Sequence, residues 1–217
     1  MIRKDYLEER QSVATFMARL YNRQLTTAGG GNISLRLSDE LFCITPTSLD
    51  KSELKAEDIA LVTFEGRNLT PECELSSETE MHRLILKERK DVNAIVHAHP
   101  VFASSFTSLS KKGLGCPIDT HILAEAYYLL KDPVMVRYAK MGTEQLARVM
   151  AQASAKADVL LMENHGVLTM GKTLLMAFEK LDVLDRTARM TVITKCMQQC
   201  GYQYKEIPPQ ELIALLV

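Results

Sequence analysis

His97-Ala98-His99 follows a run of valine and isoleucine. Side chains two apart on a β-strand point to the same face. Two imidazoles on one face can grip a single metal ion; equally, a histidine pair at this spacing can be partly buried with no ligand. His165 lies in Asn164-His165-Gly166, between two short apolar runs, a turn from which a ring can reach into a cleft. Glu78 stands where a helix begins. Three histidines and one carboxylate suit a divalent first-row metal, with Zn²⁺ the default. No CxxC pair is present, which argues against a zinc-finger arrangement. His82, four residues beyond Glu78, shares its helix face and can be a ligand, the partner of a ligand, or solvated.

A second group of residues suits an anion. Gly29-Gly30-Gly31-Asn32 is either a flexible turn or a place where backbone N–H groups approach a ligand closely. It matches neither GxGxxG nor GxxxxGK[ST], so it does not favour a nucleotide. Thr45-Pro46-Thr47-Ser48 and Ser76-Ser77 add short hydroxyls. Hydroxyls, an amide and the free N–H groups of a helix start fit a phosphate dianion, although two serines before a helix also serve as a plain cap. An anion held at Ser76 and Ser77 would lie beside Glu78. A Schiff-base aldolase would instead need a desolvated lysine, and the lysines here sit mostly in polar stretches.

The elements that position these groups follow from periodicity. Residues 6–24 repeat apolar positions at helical steps, and 33–38 alternate apolar and polar as a half-buried strand does. Strands are predicted at 41–45 and 59–64, with a turn at 65–68. A helix starting at Ser76-Ser77-Glu78 is expected to run to about residue 90. A strand covers 93–99, Pro100 opens a helix to about 109, and Thr143 caps a helix over 143–156. Short strands at 159–162 and 167–170 flank the His165 turn, and an amphipathic helix spans 172–199. Cys196 and Cys200, on one face near its end, read as two small buried apolar residues rather than a redox or metal pair. Strands between helices without repeats or linkers indicate an α/β layered domain.

Composition sets the outer limits. The 217 residues are 47% hydrophobic and 24% charged, with 26 Lys and Arg against 27 Asp and Glu, a net charge of −1. That balance excludes a disordered chain and offers no bulk attraction for nucleic acid or an anionic membrane. The apolar runs, such as 159–162 and 212–217, fall far short of the roughly 20 residues of a membrane span. The charged start and the five cysteines point to a soluble, cytoplasmic protein.

Taken in order, Gly30-Gly31-Asn32-Ile33-Ser34, Ile44-Thr45-Pro46-Thr47-Ser48, Ser76-Ser77-Glu78, His97-Ala98-His99-Pro100 and Glu163-Asn164-His165-Gly166 resemble the class II aldolase/adducin family. The resemblance spans roughly residues 5–200. It implies a layered α/β fold, with a central, mostly antiparallel sheet flanked by helices and residues 1–217 forming one domain. It implies a homotetramer with active sites at subunit interfaces. The family's zinc ligands correspond to Glu78, His97, His99 and His165, and its phosphate pocket to Gly31, Asn32, Thr47, Ser48, Ser76 and Ser77, with Glu78 also moving a proton. The likeness is greatest to members that split L-fuculose 1-phosphate into dihydroxyacetone phosphate and L-lactaldehyde. Pentulose-phosphate 4-epimerase, dehydratase and decarboxylase chemistries on the same metal are alternatives, as is a non-catalytic module like the adducin head. Ser48 stands where such aldolases often have glycine. They also take a proton-donating tyrosine from a neighbouring subunit, and the corresponding stretch here reads Cys116-Pro117-Ile118-Asp119-Thr120-His121. Asp119 and His121 are the candidates to replace it; the next tyrosines begin at Tyr127, with Tyr138 in Tyr138-Ala139-Lys140-Met141-Gly142-Thr143.

Overall fold

The computed structural model describes residues 5–109 and 116–216. Helix α1 (Leu7–Asn22) buries Val13, Ala14, Met17 and Leu20, one apolar stripe at helical spacing. Strands β1 (Asn32–Arg36), β2 (Leu41–Ile44) and β3 (Ala60–Thr63) follow, then α2 (Thr79–Glu88), β4 (Ala94–Ala98) and α3 (Val101–Thr107). The second half contributes α4 (Ala124–Leu130), β5 (Val134–Val136), α5 (Glu144–Ser154), β6 (Val159–Met162), β7 (Gly166–Gly171), α6 (Leu174–Gln199) and α7 (Pro209–Ala214). Among the described residues seven strands form one sheet in the order β3-β2-β1-β4-β7-β6-β5. Every neighbouring pair is antiparallel except β5 with β6, which is parallel.

Both faces of the sheet are covered, so its strands are apolar on both sides. Ile33, Leu41, Cys43, Val96, Ala98 and Val167 join the core that includes residues of α1, α3, α4 and α6. Phe42, Ile44, Ile95, Leu160 and Leu168 join the core of α2 and α5. Alternation along β4 therefore places His97 with Ile95, on the α2 side. On β1 it places Asn32 and Ser34 on that side too, opposite Ile33. The register pairs Asn32 with His97, and His97 with Leu168. Three central strands thus bring residues from distant parts of the chain to one point.

Several elements differ from the periodicity. The helix expected from residue 76 begins at Thr79, with Glu78 as its N-cap and no side-chain cap bond. The Ser76 hydroxyl is turned instead toward Asn32 Nδ2 and the Glu78 amide, at 3.2 and 3.3 Å. Strand β1 ends at Arg36, because Leu37 and Ser38 both donate to the Leu41 carbonyl in a tight reversal. Cys196 and Cys200 are exposed rather than buried: the buried positions of α6 end at Thr191, so its last turns carry no apolar packing. Helices α4 and α7 and the three-residue β5 had no counterpart in the sequence pattern. Thr143 and Thr173 cap α5 and α6 through their hydroxyls. Among the described residues no helix is long and apolar enough to cross a membrane.

Candidate metal centre

Strand β4 carries His97, its end carries His99, the β6–β7 turn carries His165, and the start of α2 carries Glu78. One ligand nitrogen from each of the three histidines lies within 4.8 Å of the others. His97 Nε2 is 3.1 Å from His99 Nε2 and 3.1 Å from Glu78 Oε2; His165 Nε2 is 3.3 Å from Glu78 Oε1. His97 Nδ1 lies 2.9 Å from the Val167 carbonyl. It must donate there, which leaves Nε2 bare and aimed at the cluster, since a histidine that binds metal through one ring nitrogen is oriented by the hydrogen bond its other nitrogen donates. The strand spacing also depends on Gly166. A Cβ at that position would stand 2.5 Å from His99 Cδ2 and 2.7 Å from the Ala98 carbonyl.

Charge and burial agree with a cation site. Burial drives the His99 imidazole down to about 3, and the neighbouring His97 and His165 rings act the same way. Burial and His97 also lower His165. Both rings are therefore neutral, the form that binds metal. Burial opposes charge on His97, but the Glu78 carboxylate and the Val167 carbonyl outweigh it and raise its proton affinity. Burial likewise opposes ionisation of Glu78, yet His97, Asn32 and His165 hold its carboxyl well below the usual carboxylate range. Glu78 Oε1 is buried without a hydrogen-bond donor. An acceptor left so is costly, and a divalent cation would satisfy it. The residues present fit a metal, and Glu78, His97, His99 and His165 could hold one.

The six residues considered for phosphate lie on three adjoining segments. Gly31 has φ +72°, and a Cβ there would meet the His97 carbonyl at 2.7 Å. Asn32 Nδ2 donates to Glu78 Oε2 at 2.9 Å and to Ser76 Oγ at 3.2 Å. The Thr47 amide donates to the Glu74 carbonyl, and Pro46 bridges Leu75, which lays the Thr47–Ser48 turn along the Ser76 segment. Ser48 adopts φ +60°, a left-handed conformation that explains why glycine is common at such a site. Ser77 is exposed beside Gly142. None of the six is charged.

Other candidates lie elsewhere. Asp119 accepts from the His121 amide and from the Tyr204 hydroxyl. His121 faces Asp132 at 3.4 Å and the Tyr127 ring. None of these contacts reaches the imidazole cluster. His82 is fully buried, 2.7 Å from Ser34 Oγ and 2.5 Å from Asn32 Oδ1, and so acts through Asn32 rather than as part of the cluster. Two groups escaped the pattern. Glu163 accepts from the Tyr138 amide at 2.7 Å, tying residues 137–143 to the His165 turn. Lys51 is 2% exposed although its surroundings in sequence are polar. Its ammonium donates to the Pro46 carbonyl and its amide to Ala28. Burial lowers its proton affinity to about 8, but it serves the Thr47–Ser48 turn and not the cluster.

The sequence profile of the class II Aldolase and Adducin N-terminal domain matches residues 11–192. An L-fuculose phosphate aldolase of Methanococcus vannielii is 36% identical over 175 residues, 80% of this chain and 90% of its own. A 5-deoxy-D-ribulose 1-phosphate aldolase of Bacillus thuringiensis is 29% identical over 189 residues, 87% of this chain and 86% of its own. A solved L-fuculose 1-phosphate aldolase superposes with a TM-score of 0.81 at 26% identity, covering 99% of this chain and 96% of that one.

Proposed function

The chain belongs to the class II aldolase and adducin family and is an aldolase of sugar-phosphate chemistry, and from that premise we propose that it uses Zn²⁺ to cleave L-fuculose 1-phosphate into dihydroxyacetone phosphate and L-lactaldehyde. The observation that carries this reading is the buried, donorless Glu78 Oε1 set among three converging imidazoles beside a row of neutral hydroxyls. Bound there by Glu78, His97, His99 and His165, a divalent metal supplies Lewis-acid stabilisation of the negative charge that builds on the ketose carbonyl oxygen. Gly31, Asn32, Thr47, Ser48, Ser76 and Ser77 grip the phosphate through neutral donors. Glu78, next to Ser76 and Ser77 in sequence, would deliver the proton to C3, the hydroxyl-bearing carbon across the carbonyl from the phosphate ester, as its bond to the aldehyde carbon breaks.

Tyr138 and Met141, on the segment tied to Glu163, are 58% and 59% exposed. We place this segment at a subunit interface of a homotetramer, where a neighbouring subunit completes the site. The M. vannielii relative carries a fuculose phosphate name and the B. thuringiensis relative a deoxyribulose phosphate name, so the aldehyde is the variable half. The test is release of dihydroxyacetone phosphate from a panel of ketose 1-phosphates by zinc-loaded protein. L-Fuculose 1-phosphate should give the highest kcat/KM. A higher value for 5-deoxyribulose 1-phosphate would move the assignment to that sugar, and no release from any ketose phosphate would overturn it.

A further inference from the structure

We propose that His82 is a positioning residue that holds Asn32 in a buried hydrogen-bond chain whose direction the Glu78 carboxylate sets, and thereby keeps the Ser76 hydroxyl donating, so that the site favours an acceptor-only anion. The proposal rests on the phosphate reading of Ser76 given above. The chain runs from Ser34 Oγ to His82 Nδ1 at 2.7 Å and from His82 Nε2 to Asn32 Oδ1 at 2.5 Å. It continues from Asn32 Nδ2 to Glu78 Oε2 at 2.9 Å and to Ser76 Oγ at 3.2 Å. Ser34 and His82 are fully buried and Asn32 is 4% exposed, so water does not make up for a wrong direction.

Only one polarity satisfies every member. The Glu78 carboxylate has no proton to give, so the Asn32 amino group must face it. Asn32 Oδ1 must then face His82, and a carbonyl oxygen can only accept. His82 Nε2 therefore carries the proton, Nδ1 is bare, and the Ser34 hydroxyl donates to it. The reverse tautomer would turn the amide and set two acceptor oxygens, Asn32 Oδ1 and Glu78 Oε2, against each other.

The consequence falls on Ser76. A hydroxyl has two acceptor sites and one proton. Both acceptor sites are taken, one by Asn32 Nδ2 and one by the Glu78 amide at 3.3 Å. Its proton is left to donate outward. A phosphate oxygen accepts that bond with no proton of its own to place. A sugar hydroxyl can accept the same bond but must place its own proton elsewhere, and an ammonium would find no acceptor in Ser76. Selection for the phosphorylated substrate is thus supported by a histidine behind the pocket, acting on Ser76 through Asn32.

Histidine-selective ¹⁵N NMR on the full chain tests the direction, with the His82 signals assigned by their loss in His82→Gln. The result expected is a neutral ring protonated at Nε2 throughout the pH range in which the protein is folded. A ring protonated at Nδ1 would overturn the proposal whatever the substrate. Calorimetric titration with inorganic phosphate tests the consequence. In His82→Gln the side-chain amide can still donate to Asn32 and accept from Ser34, and phosphate affinity should stay within about threefold of the wild type. In His82→Leu it should fall by about tenfold, the scale of one hydrogen bond to a charged group. Equal affinity in the two folded variants would overturn the proposal. Wild-type protein that binds no phosphate would refute the phosphate pocket itself, a failure separable from that of the tautomer.

Discussion

Lys51→Met should make the protein more stable at neutral pH and less stable in strong alkali. Lys51 is almost wholly buried, with its ammonium on the Pro46 carbonyl. Burial lowers its proton affinity from 10.5 to about 8. A tenfold change in proton affinity corresponds to about 1.36 kcal/mol, so holding the charge at pH 7 costs the fold about 3 kcal/mol. Methionine fills similar space without the charge but leaves the Pro46 carbonyl without a donor, at a cost of about 1–2 kcal/mol. The net gain at pH 7 is about 1–2 kcal/mol, or about 2–8 °C in Tm for a chain of this length. The sign reverses with pH. Because the folded-state value lies below the unfolded one, the unfolded chain binds more protons between about pH 8 and 10.5, and wild-type stability rises through that window. The variant lacks this rise, so the two stability curves should cross near its upper end. Urea unfolding at fixed protein concentration, at pH 7, 9 and 10, measures the difference. Parallel curves would refute the argument that Lys51 is held charged at a cost. Freed from Lys51, the Thr47–Ser48 turn should also bind substrate more weakly, with KM raised severalfold. On this account a stability cost is kept in exchange for an ordered loop.

Three other changes have defined outcomes. Glu78→Gln should retain much of the metal while kcat per bound metal falls by about 10²–10⁴, the contribution of a general base; near-normal turnover per metal would reduce Glu78 to a ligand. Gly166→Ala should press a methyl group into His99 Cδ2 and the Ala98 carbonyl and weaken metal affinity by about 10–100-fold, read by competition with a chelator. Ser48→Gly should raise Tm by about 1–3 °C, since a residue at φ +60° carries a strain of about 1 kcal/mol partly offset by the entropy of glycine; an unchanged or lower Tm would mean that the turn is not strained.

Much of the sheet could be read from the sequence because burial on both faces leaves long apolar runs at β2, β3, β4 and β6. The two-residue step of His97 and His99 placed both rings on one face without further information. Convergence was another matter. That Asn32 pairs with His97, and His97 with Leu168, depends on strand order, which local pattern does not encode. Ser76 reads as a helix cap because its residue type suits one, and only tertiary partners, Asn32 above all, turn its hydroxyl elsewhere. His82 could be placed on the Glu78 face by helical spacing, but its partners come from β1 and not from its own helix. Cys196 and Cys200 were misread because helical periodicity continues past Thr191, where packing stops. Strand β5 has three residues, too few to show any period.

Strand β4 joins two halves of the sheet, β3-β2-β1 on one side and β7-β6-β5 on the other. During synthesis the first half and β4 leave the ribosome together and can pair at once. The partner β7, which brings the His165 turn, emerges roughly 70 residues later, a wait of several seconds at about 5–20 residues per second. Until then His97 and His99 sit on an open strand edge with neither their third imidazole nor a covering strand. Nascent and truncated chains should therefore bind the ion weakly, and full affinity should appear only when β7 closes that edge, so that loading with metal reports completion of the chain.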